Sequence, residues 1–351
     1  MIKLSCVTKQ YLYGARVIDA LDMEIANGEI IAVLGDTGSG KTTFVKVASA
    51  VEDCEGEVLL DGKPMTQKTD DTIVLFDDLA LFENKNFYYN LAFPLAIRGY
   101  DRETIEERVY FAADRLGITA CLKDKVKKST LLDKKRLGVA RLLLRDAKAV
   151  FVDDITSGLT AYEAEIILGE IRPILIDFAK RGASVIYSTA NREEAKAIAD
   201  RVVVLHYGEV KQIGRYDEIY SHPANVWAGE AVDGFFAFEE ARLERADNKL
   251  QLVFKGDEQD YILPASAFEG RVIEDFVGSK VYVGWHGEDY DIDGARKEKV
   301  RYSFRLGDKF VNVTESGRKI ACATKYDEVG TLPDLKKAYL FDFANENSIT
   351  K

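Results

Sequence analysis

GEIIAVLGDTGSGKTT, the stretch from Gly28 to Thr43, decides the fold of this chain. Its first half, GEIIAVLG, is a short apolar run that ends in glycine, and such a run is typical of a buried strand in a parallel sheet. Its second half, Gly35 to Thr42, fits the pattern G-x-x-x-x-G-K-[ST], which indicates a phosphate-binding loop when a strand precedes it and a helix follows. The stretch therefore predicts a strand, a phosphate loop and a helix in succession, the core of a P-loop α/β fold.

Strand-like and helix-like segments alternate through the rest of the first half. The runs AVFVDD (149–154), ASVIYST (183–189) and RVVVLHYGEV (201–210) predict further strands, and helical patterns occur at 102–118 and 164–180. Strands that alternate with helices indicate a parallel sheet covered by helices.

The pattern of the sequence changes after about Phe235. Short alternating runs follow one another without helices between them, among them KLQLVFKG (249–256), KVYVGWHG (280–287) and FVNVTES (310–316). Such spacing is typical of a small antiparallel barrel or sandwich. We therefore expect two domains, 1–234 and 235–351, with the boundary near the segment AVDGFF (231–236).

Length and charge agree with two soluble domains and argue against several other classes of protein. The 351 residues carry 59 acidic and 48 basic side chains, a formal charge of −11, which argues against nucleic acid as the main partner. No run approaches the roughly 18 apolar residues of a membrane span, and the N-terminus lacks the pattern of a secretory signal. The four cysteines are scattered along the chain, which favours a reducing, cytosolic compartment.

The phosphate loop and a nearby acid predict a site for phosphates and Mg²⁺. Glycines let backbone N–H groups approach the phosphates, while Lys41 is expected to reach the terminal phosphates and Thr42 to ligate the ion. AVFVDD ends in Asp153 and Asp154, and a buried strand that ends in two acids is costly unless a cation lies beside it. We assign Mg²⁺ to Thr42 and Asp153. The predicted nucleotide-binding residues of the loop are Gly35, Asp36, Thr37, Gly38, Ser39, Gly40, Lys41, Thr42 and Thr43.

This chain resembles the ATP-binding subunits of ABC transporters in three stretches, both in their sequences and in their order along the chain. The stretches are VTKQYLYG (7–14), GEIIAVLGDTGSGKTT and DRVVVLHYGEVKQIGRYDEIYSHPANVWAG (200–229). The last stretch particularly resembles importers of sugars and polyols, of the maltose-importer type. The resemblance implies a P-loop, RecA-like ATPase domain with a helical subdomain at about 80–148, followed by an OB-like C-terminal domain of the TOBE type. It also implies ATP and Mg²⁺ as cofactors and the stacking of adenine on Tyr11 or Tyr13.

The same resemblance implies catalytic positions, and at three of them this chain departs from the family. The family's catalytic glutamate becomes Asp154, its switch histidine becomes Ala190, and the glutamine that senses Mg²⁺ and the membrane subunit becomes Asp77. Asp154 is one methylene shorter, Ala190 cannot donate a hydrogen bond to a phosphate, and Asp77 adds negative charge. Because a positioned general base contributes about 10²–10⁴ in rate, we expect ATP binding with weak hydrolysis or none.

The family's signature loop, LSGGQ, is replaced here by Ser129, Thr130, Leu131, Leu132 and Asp133. The family's two glycines let the start of the following helix approach the other subunit's nucleotide, and we expect the two leucine side chains to obstruct that approach. Thr130 and Asp133 still form a capping pattern. A helix is therefore expected to begin here, although its nucleotide contact is lost.

Two segments carry alternative interpretations. The basic run 123–135 is either a charged substitute for the signature's phosphate contact or a solvated helix face, and we favour the solvated face. The segment 102–118 either binds a partner or packs within the helical subdomain, and its i, i+4 apolar spacing favours packing.

The leading hypothesis is an ATP-binding subunit of an ABC importer for a sugar, polyol or related small solute. Since sites in this family combine one chain's P-loop with the other chain's signature, we expect a heterodimer with a consensus ATPase subunit. Transmembrane permease subunits would dock on the region 77–99, a periplasmic or extracellular solute-binding protein would act indirectly, and the chain would lie peripherally on the cytoplasmic face of the membrane. An ATP-responsive regulatory module without transport is the alternative, and a competent ATPase that tolerates these changes is a third possibility.

Overall fold

A computed structural model describes residues 1–11, 14, 16–65, 71–256, 259–268, 273–294, 296–306 and 308–349. The chain divides into two compact units, Met1–Ile213 and Gly214–Lys351. This division falls earlier than the boundary expected at 234 and 235. The reason is a small hydrophobic cluster in which Val226 packs with Phe236 and Phe341, so that the segment before residue 235 belongs to the second unit.

The first unit contains an antiparallel sheet, a mainly parallel sheet and the helices between their strands. Its strands are β1 (Ile2–Gln10), β2 (Arg16–Ile25), β3 (Ile30–Leu34), β4 (Glu55–Leu60), β5 (Lys63–Pro64), β6 (Thr72–Leu75), β7 (Ala149–Asp153), β8 (Ser184–Thr189), β9 (Arg201–His206) and β10 (Glu209–Gly214), the last of which ends at the division. Its helices are α1 (Lys41–Ala48), α2 (Phe87–Ala96), α3 (Arg102–Arg115), α4 (Leu131–Ala140), α5 (Ala161–Lys180) and α6 (Arg192–Ile198).

The larger sheet of the first unit confirms the strands predicted from the sequence. Its order is β10-β9-β3-β8-β7-β6, and β9, β3, β8, β7 and β6 are parallel to one another. Strands β3, β7 and β8 are buried along their whole length, as their continuous apolar runs require in a sheet covered on both faces. Because the strands are parallel, the residues that follow β3, β6, β7 and β8 meet at one edge of the sheet.

Helices α2, α3 and α4 lie in the chain between β6 and β7 and share one hydrophobic core with that side of the sheet. Val109, Ala112 and Ala113 are the buried residues of α3. Their contribution to the core confirms that the segment 102–118 packs within the unit.

The second unit has two short helices followed by strands. The helices are α7 (Tyr216–Ser221) and α8 (Val226–Val232), and the strands are β11 (Ala237–Ala246), β12 (Lys249–Phe254), β13 (Tyr261–Pro264), β14 (Lys280–Trp285), β15 (Lys297–Leu306), β16 (Lys309–Thr314), β17 (Lys319–Cys322), β18 (Glu328–Gly330) and β19 (Tyr339–Asp342). They form two antiparallel sheets, β13-β12-β11-β14-β19 and β17-β16-β15-β18. The three runs quoted after residue 235 each contain most of one strand, namely β12, β14 and β16.

Two further features of the described residues concern the hydropathy of the helices and the state of the cysteines. Across the part of the chain that the structure describes, no helix is long and apolar enough to cross a membrane. The cysteines Cys6, Cys54, Cys121 and Cys322 are all free thiols.

Candidate phosphate-binding site

The loop from Gly35 to Gly40 joins buried β3 to α1 through backbone conformations that only glycine adopts without strain. Gly38 and Gly40 have φ of 86° and 106°, in the left-handed region. A Cβ added at Gly35 would lie 2.2 Å from the Leu205 carbonyl oxygen, a separation that would force the backbone to move. The loop therefore folds tightly against β9 and leads directly into the N-terminus of α1, and such a glycine-rich loop before a helix is the arrangement that binds phosphate.

Lys41 is the first residue of α1, and it is only 7% exposed. Its Nζ donates to the carbonyl oxygens of Gly35 at 2.8 Å and Asp36 at 2.9 Å. Burial lowers the pKa of this lysine, while the charges of Asp154, Asp153 and Asp36 oppose that shift. The ammonium is thus held inside the loop, with the acids that end β7 nearby.

Asp153 ends β7 and is fully buried. Its Oδ1 accepts a hydrogen bond from the Ser188 hydroxyl on the neighbouring strand, whereas its Oδ2 has no hydrogen-bond partner among the described residues. A buried carboxylate oxygen left in this state is costly, and it is the hard oxygen ligand that Mg²⁺ prefers. Asp153, together with the exposed Thr42 at the start of α1, fits a Mg²⁺ ion that accompanies phosphates.

Asp154 follows β7 in left-handed backbone, with φ of 42°. Its N–H donates to the Ser188 carbonyl oxygen at 3.1 Å. Burial raises the pKa of its carboxyl; Lys41 lowers it, and the charges of Asp153, Glu194 and Asp77 raise it further. The sheet edge thus brings Lys41, Asp77, Asp153 and Asp154 into one electrostatic group.

Ala190 follows β8 directly and is exposed, so a methyl group stands at the position of the family's switch histidine. The chain beside it is fixed by Glu194, a residue that the sequence analysis missed. Glu194 is 3% exposed, and its carboxylate accepts from the hydroxyls of Thr156 (2.7 Å), Tyr187 (2.8 Å) and Thr189 (2.9 Å). It therefore ties the loop after β7 to β8 and α6. The available signal was an acid beside Ala195 and Ile198, on the apolar face of α6.

Asp77 lies exposed after β6, and its carbonyl oxygen accepts a hydrogen bond from Lys135 Nζ at 3.1 Å. Lys135 is on α4 and is only 2% exposed. The interpretation of the run 123–135 as a solvated face is therefore wrong for Lys135, although Lys123, Lys125, Lys127 and Lys128 are exposed. Sequence reasoning missed Lys135 because its neighbour Lys134 is also a lysine, and only the orientation of α4 about its own axis decides which of the two is buried.

The segment in place of the signature begins α4, as its capping pattern predicts. Thr130 is the N-cap residue, and its hydroxyl accepts from the Asp133 N–H at 3.1 Å and donates to the Asp133 carboxylate at 2.8 Å. Leu131 is 42% exposed, whereas Leu132 is partly buried and packs against the hydrophobic core. Of the two leucines expected to obstruct a facing nucleotide, the structure thus leaves mainly Leu131 at the surface, next to the half-buried Ser129.

Tyr11 reaches the start of α1 from the end of β1. Its hydroxyl donates to Glu52 at 2.7 Å and lies 3.3 Å from the Thr43 hydroxyl, and the Lys9 ammonium lies 5.3 Å from its ring centre. The ring is 40% exposed. An aromatic face is therefore available beside the phosphate loop, whereas Tyr13 lies outside the described residues.

Comparison with known proteins agrees with this geometry. The model of the ABC transporter family matches residues 18–157. The multiple sugar-binding transport ATP-binding protein MsmK of Streptococcus mutans is 31% identical over 239 residues, which cover 64% of this chain and 63% of that protein. The sn-glycerol-3-phosphate import ATP-binding protein UgpC of Cupriavidus metallidurans is 32% identical over 65% of this chain and 63% of its own length. This chain thus spans less than two thirds of either relative.

Solved structures show the same fold. CbiO1 from Clostridium perfringens, part of the ABC transporter complex CbiONQ, superposes with a TM-score of 0.55 and 24% identity over 63% of this chain and 90% of that one. A dimeric ATP-binding cassette bound to ADP and Pi gives a TM-score of 0.55 and 22% identity over 61% and 98% of the two chains. The cofactor of such a domain is ATP with Mg²⁺. Residues 18–157 are thus similar to the ABC transporter family, and the fold around them is that of its ATP-binding domains.

Proposed function

We propose that this chain is the ATP-binding subunit of an ABC importer, and that it binds Mg-ATP with weak hydrolysis or none of its own. The observation that carries the proposal is the sheet edge, where the buried ammonium of Lys41 and the free buried oxygen of Asp153 lie beside a glycine-rich loop. These groups match the phosphates of a nucleotide and a divalent ion. The names of the two relatives describe transport of multiple sugars and import of sn-glycerol-3-phosphate, and they favour a sugar, polyol or related small solute as the cargo.

In this proposal the chain's own groups bind the nucleotide, but they hydrolyse it slowly or not at all. Backbone N–H groups of the loop and Lys41 hold the phosphates, Tyr11 stacks on the adenine, and Thr42 and Asp153 hold Mg²⁺, which neutralises phosphate charge. Asp154 would take the role of the base for the attacking water, but its side chain is one methylene shorter than that of glutamate and its backbone is left-handed. Ala190 offers no hydrogen-bond donor to a phosphate, so the charge that develops in the transition state lacks one stabilising contact.

The exposed Leu131 supports a heterodimer. In a head-to-tail pair, the start of α4 would face the partner's nucleotide, and a leucine side chain there keeps backbone N–H groups from the phosphates. Two copies of this chain would then form two impaired sites. A consensus ATPase subunit would contribute an intact signature to the nucleotide held by Lys41.

Aromatic side chains in the region 77–99 support docking of a membrane subunit. Phe82, Tyr89 and Phe93 pack against one another with ring centres 4.9 to 5.6 Å apart, and Phe82 is 43% exposed. Transmembrane permease subunits would bind here, which would hold the chain peripherally on the cytoplasmic face of the membrane. A solute-binding protein would act through the permease.

The C-terminal strands support an all-β second domain, residues 235–351, which in this proposal is an OB-like regulatory module of the TOBE type. Its two antiparallel sheets have a core of their own. The first unit, Met1–Ile213, would then contain the nucleotide site, with the helical subdomain at about 80–148.

Equilibrium binding of a fluorescent ATP analogue tests the central proposal. We expect saturable, Mg²⁺-dependent binding by the purified chain and at least a tenfold loss in Lys41→Ala, because that lysine supplies the buried cation. Lys148→Ala is the matched control, since Lys148 is 58% exposed and pairs with Asp71 at the surface. Equal binding by Lys41→Ala and the unaltered chain would refute nucleotide binding at this loop.

Co-purification and steady-state hydrolysis test the remaining parts. We expect a second ATPase subunit and permease subunits to purify with the tagged chain from its native source, and hydrolysis by the isolated chain close to that of Lys41→Ala. Recovery only as a homodimer would refute the heterodimer. Hydrolysis well above that of Lys41→Ala would refute the catalytic interpretation, and unchanged solute uptake after gene deletion would favour an ATP-responsive regulatory module.

A further inference from the structure

A second buried ammonium reaches the acid side of the nucleotide site. Lys135 is 2% exposed on α4, and its Nζ donates to the Asp77 carbonyl oxygen at 3.1 Å. Burial lowers the pKa of Lys135, while the charges of Asp77, Asp154, Asp153 and Asp78 oppose that shift. A lysine is rarely buried without such partners, so these acids account for its position.

The acids near Lys135 create an electrostatic problem for a phosphate ligand. Asp77, Asp153 and Asp154 all act on Lys135, and Asp153 and Asp154 also act on Lys41. A nucleotide would add the negative charge of its phosphates to this group. Lys41 alone does not balance three carboxylates, and Lys135 is the second cation in the group.

Helix α4 also holds the backbone around Asp77 in place. Leu79 and Ala80 have left-handed backbone, with φ of 58° and 41°, and such non-glycine residues persist only where their surroundings hold them. Arg141, the residue that follows α4, donates to the Leu79 carbonyl oxygen at 2.7 Å and to that of Ala80 at 3.3 Å. Together with Lys135, it fixes the segment from Asp77 to Ala80 through three carbonyl oxygens.

We propose that Lys135 is a positioning residue of the nucleotide site: it holds the Asp77 segment and supplies the second fixed positive charge, so that the site retains ATP with less dependence on Mg²⁺. The inference rests on the proposed ATP binding and deepens it. Its reason is Coulombic, since salt screens a buried charge much less than an exposed one. Mg²⁺ and Lys135 supply charge to the same acids, so each lessens the effect of the other.

ATP-analogue binding by Lys135→Gln, measured in excess Mg²⁺ and in EDTA, tests the proposal. We expect the Kd to rise about tenfold in EDTA and distinctly less in Mg²⁺, the order of magnitude for a lost nearby charge. Lys135→Arg should stay close to the unaltered chain, because it keeps the charge. Lys134→Gln is the matched control, since Lys134 lies on the same helix and pairs with Glu83.

Each outcome bears on the proposal. If the unaltered chain binds ATP, Lys41→Ala does not, and Lys135→Gln binds like the unaltered chain, the inference is wrong and the proposed function stands. An equal loss in Mg²⁺ and in EDTA would assign Lys135 a merely structural role and overturn the inference. If the unaltered chain does not bind ATP, both proposals fall.

If circular dichroism shows that Lys135→Gln does not fold, a second variant tests the same proposal. Asp77→Asn in the Lys135→Gln background removes an acid together with the cation, and Asp77 is exposed. We expect this double variant to recover the folded state and most of the affinity in EDTA, because interacting charges give non-additive effects. Purely additive losses would overturn the inference.

Discussion

Folding shifts the pKa values of two aspartates, Asp154 and Asp233, in opposite directions, and the immediate surroundings of each carboxyl set the direction. Burial raises the pKa of Asp154, Lys41 lowers it, and Asp153, Glu194 and Asp77 raise it further. Burial also acts to raise the pKa of Asp233, but hydrogen bonds from His286 and from backbone N–H groups outweigh it, so that this pKa is lowered. The folded state therefore disfavours the ionised form of Asp154 and favours the ionised form of Asp233.

Replacing Asp154 by asparagine should stabilise the protein without nucleotide. Because its folded pKa is raised above the ordinary value of 3.8, the favourable contribution of Asp154 is present only at low pH and is lost as the pH rises through the folded pKa. At neutral pH the ionised group destabilises the fold, and Asp154→Asn should raise the free energy of unfolding by about 1 kcal/mol, as is common when functional residues are replaced. Thermal unfolding at pH 7 measures the change. A lower Tm than that of the unaltered chain would contradict it, and the gain should shrink as the pH approaches 4.

Replacing Asp233 should have the reverse effect. Its Oδ2 lies 2.8 Å from His286 Nδ1, and His286 Nε2 lies 2.8 Å from the Tyr220 carbonyl oxygen. Because the folded pKa of Asp233 is below 3.8, its stabilisation is present above that value and is lost as the pH falls through the folded pKa. Asp233→Asn should cost about 2 kcal/mol at pH 7, the size of a hydrogen bond to a charged group. Its unfolding should depend less on pH below 4 than that of the unaltered chain, and equal acid sensitivity in both proteins would refute the role of this carboxylate.

At the scale of elements, α4 connects the altered signature segment to the acid edge of the sheet. Its N-cap is Thr130, its second turn carries Lys135, and its Gly138 lies against the segment after β6. A Cβ added at Gly138 would lie 2.7 Å from Leu79 Cδ2 and 3.2 Å from Leu75 Cδ1. The absence of a side chain there lets Leu79 pack onto the helix, although its backbone is left-handed.

Alanine substitution should therefore have opposite effects at two helical glycines. Gly138→Ala forces buried Leu79 to move and should destabilise the protein by about 1–3 kcal/mol, the cost of overpacking a core. Gly169→Ala is the matched control in α5, where an added Cβ meets nothing within 4 Å, and it should stabilise by about 0.5–1 kcal/mol through helix propensity. Urea denaturation of both variants measures these changes. A stability for Gly138→Ala equal to or above that of the unaltered chain would show that Leu79 does not limit the approach of α4.

Elements with a local signature were predictable from the sequence, and residues that depend on packing were not. The phosphate loop has glycines, Lys41 and a preceding strand in one stretch, so its chemistry is visible in the order of residues. Lys135 has the same local pattern as Lys134, and only the direction in which α4 packs separates a buried ammonium from an exposed one. Glu194 is similar, because the hydroxyls that it binds come from the loop after β7 and from β8, and no spacing in the sequence reveals that these segments meet α6.

At the scale of the whole molecule, each unit has its own hydrophobic core. In the first unit the core residues flank the parallel sheet on both faces, and in the second they line the antiparallel sheets. The nucleotide site lies in Met1–Ile213, and the Asp233–His286 pair lies in Gly214–Lys351. A ligand that binds one unit's folded state stabilises that state by mass action.

Scanning calorimetry should therefore separate the two units by their response to nucleotide. At about one hundred times its Kd, Mg-ATP stabilises the folded state that binds it by about 2.7 kcal/mol, which corresponds to a rise of about 5–10 °C in the Tm of a unit of this size. We expect only the transition of Met1–Ile213 to rise, and Lys41→Ala should abolish the rise. Asp233→Asn identifies the other transition, because it lowers the Tm of the unit that contains this residue. If Mg-ATP raised the transition that Asp233→Asn lowers, the nucleotide would be stabilising the second unit as well, and the assignment of its binding energy to the first unit alone would be wrong.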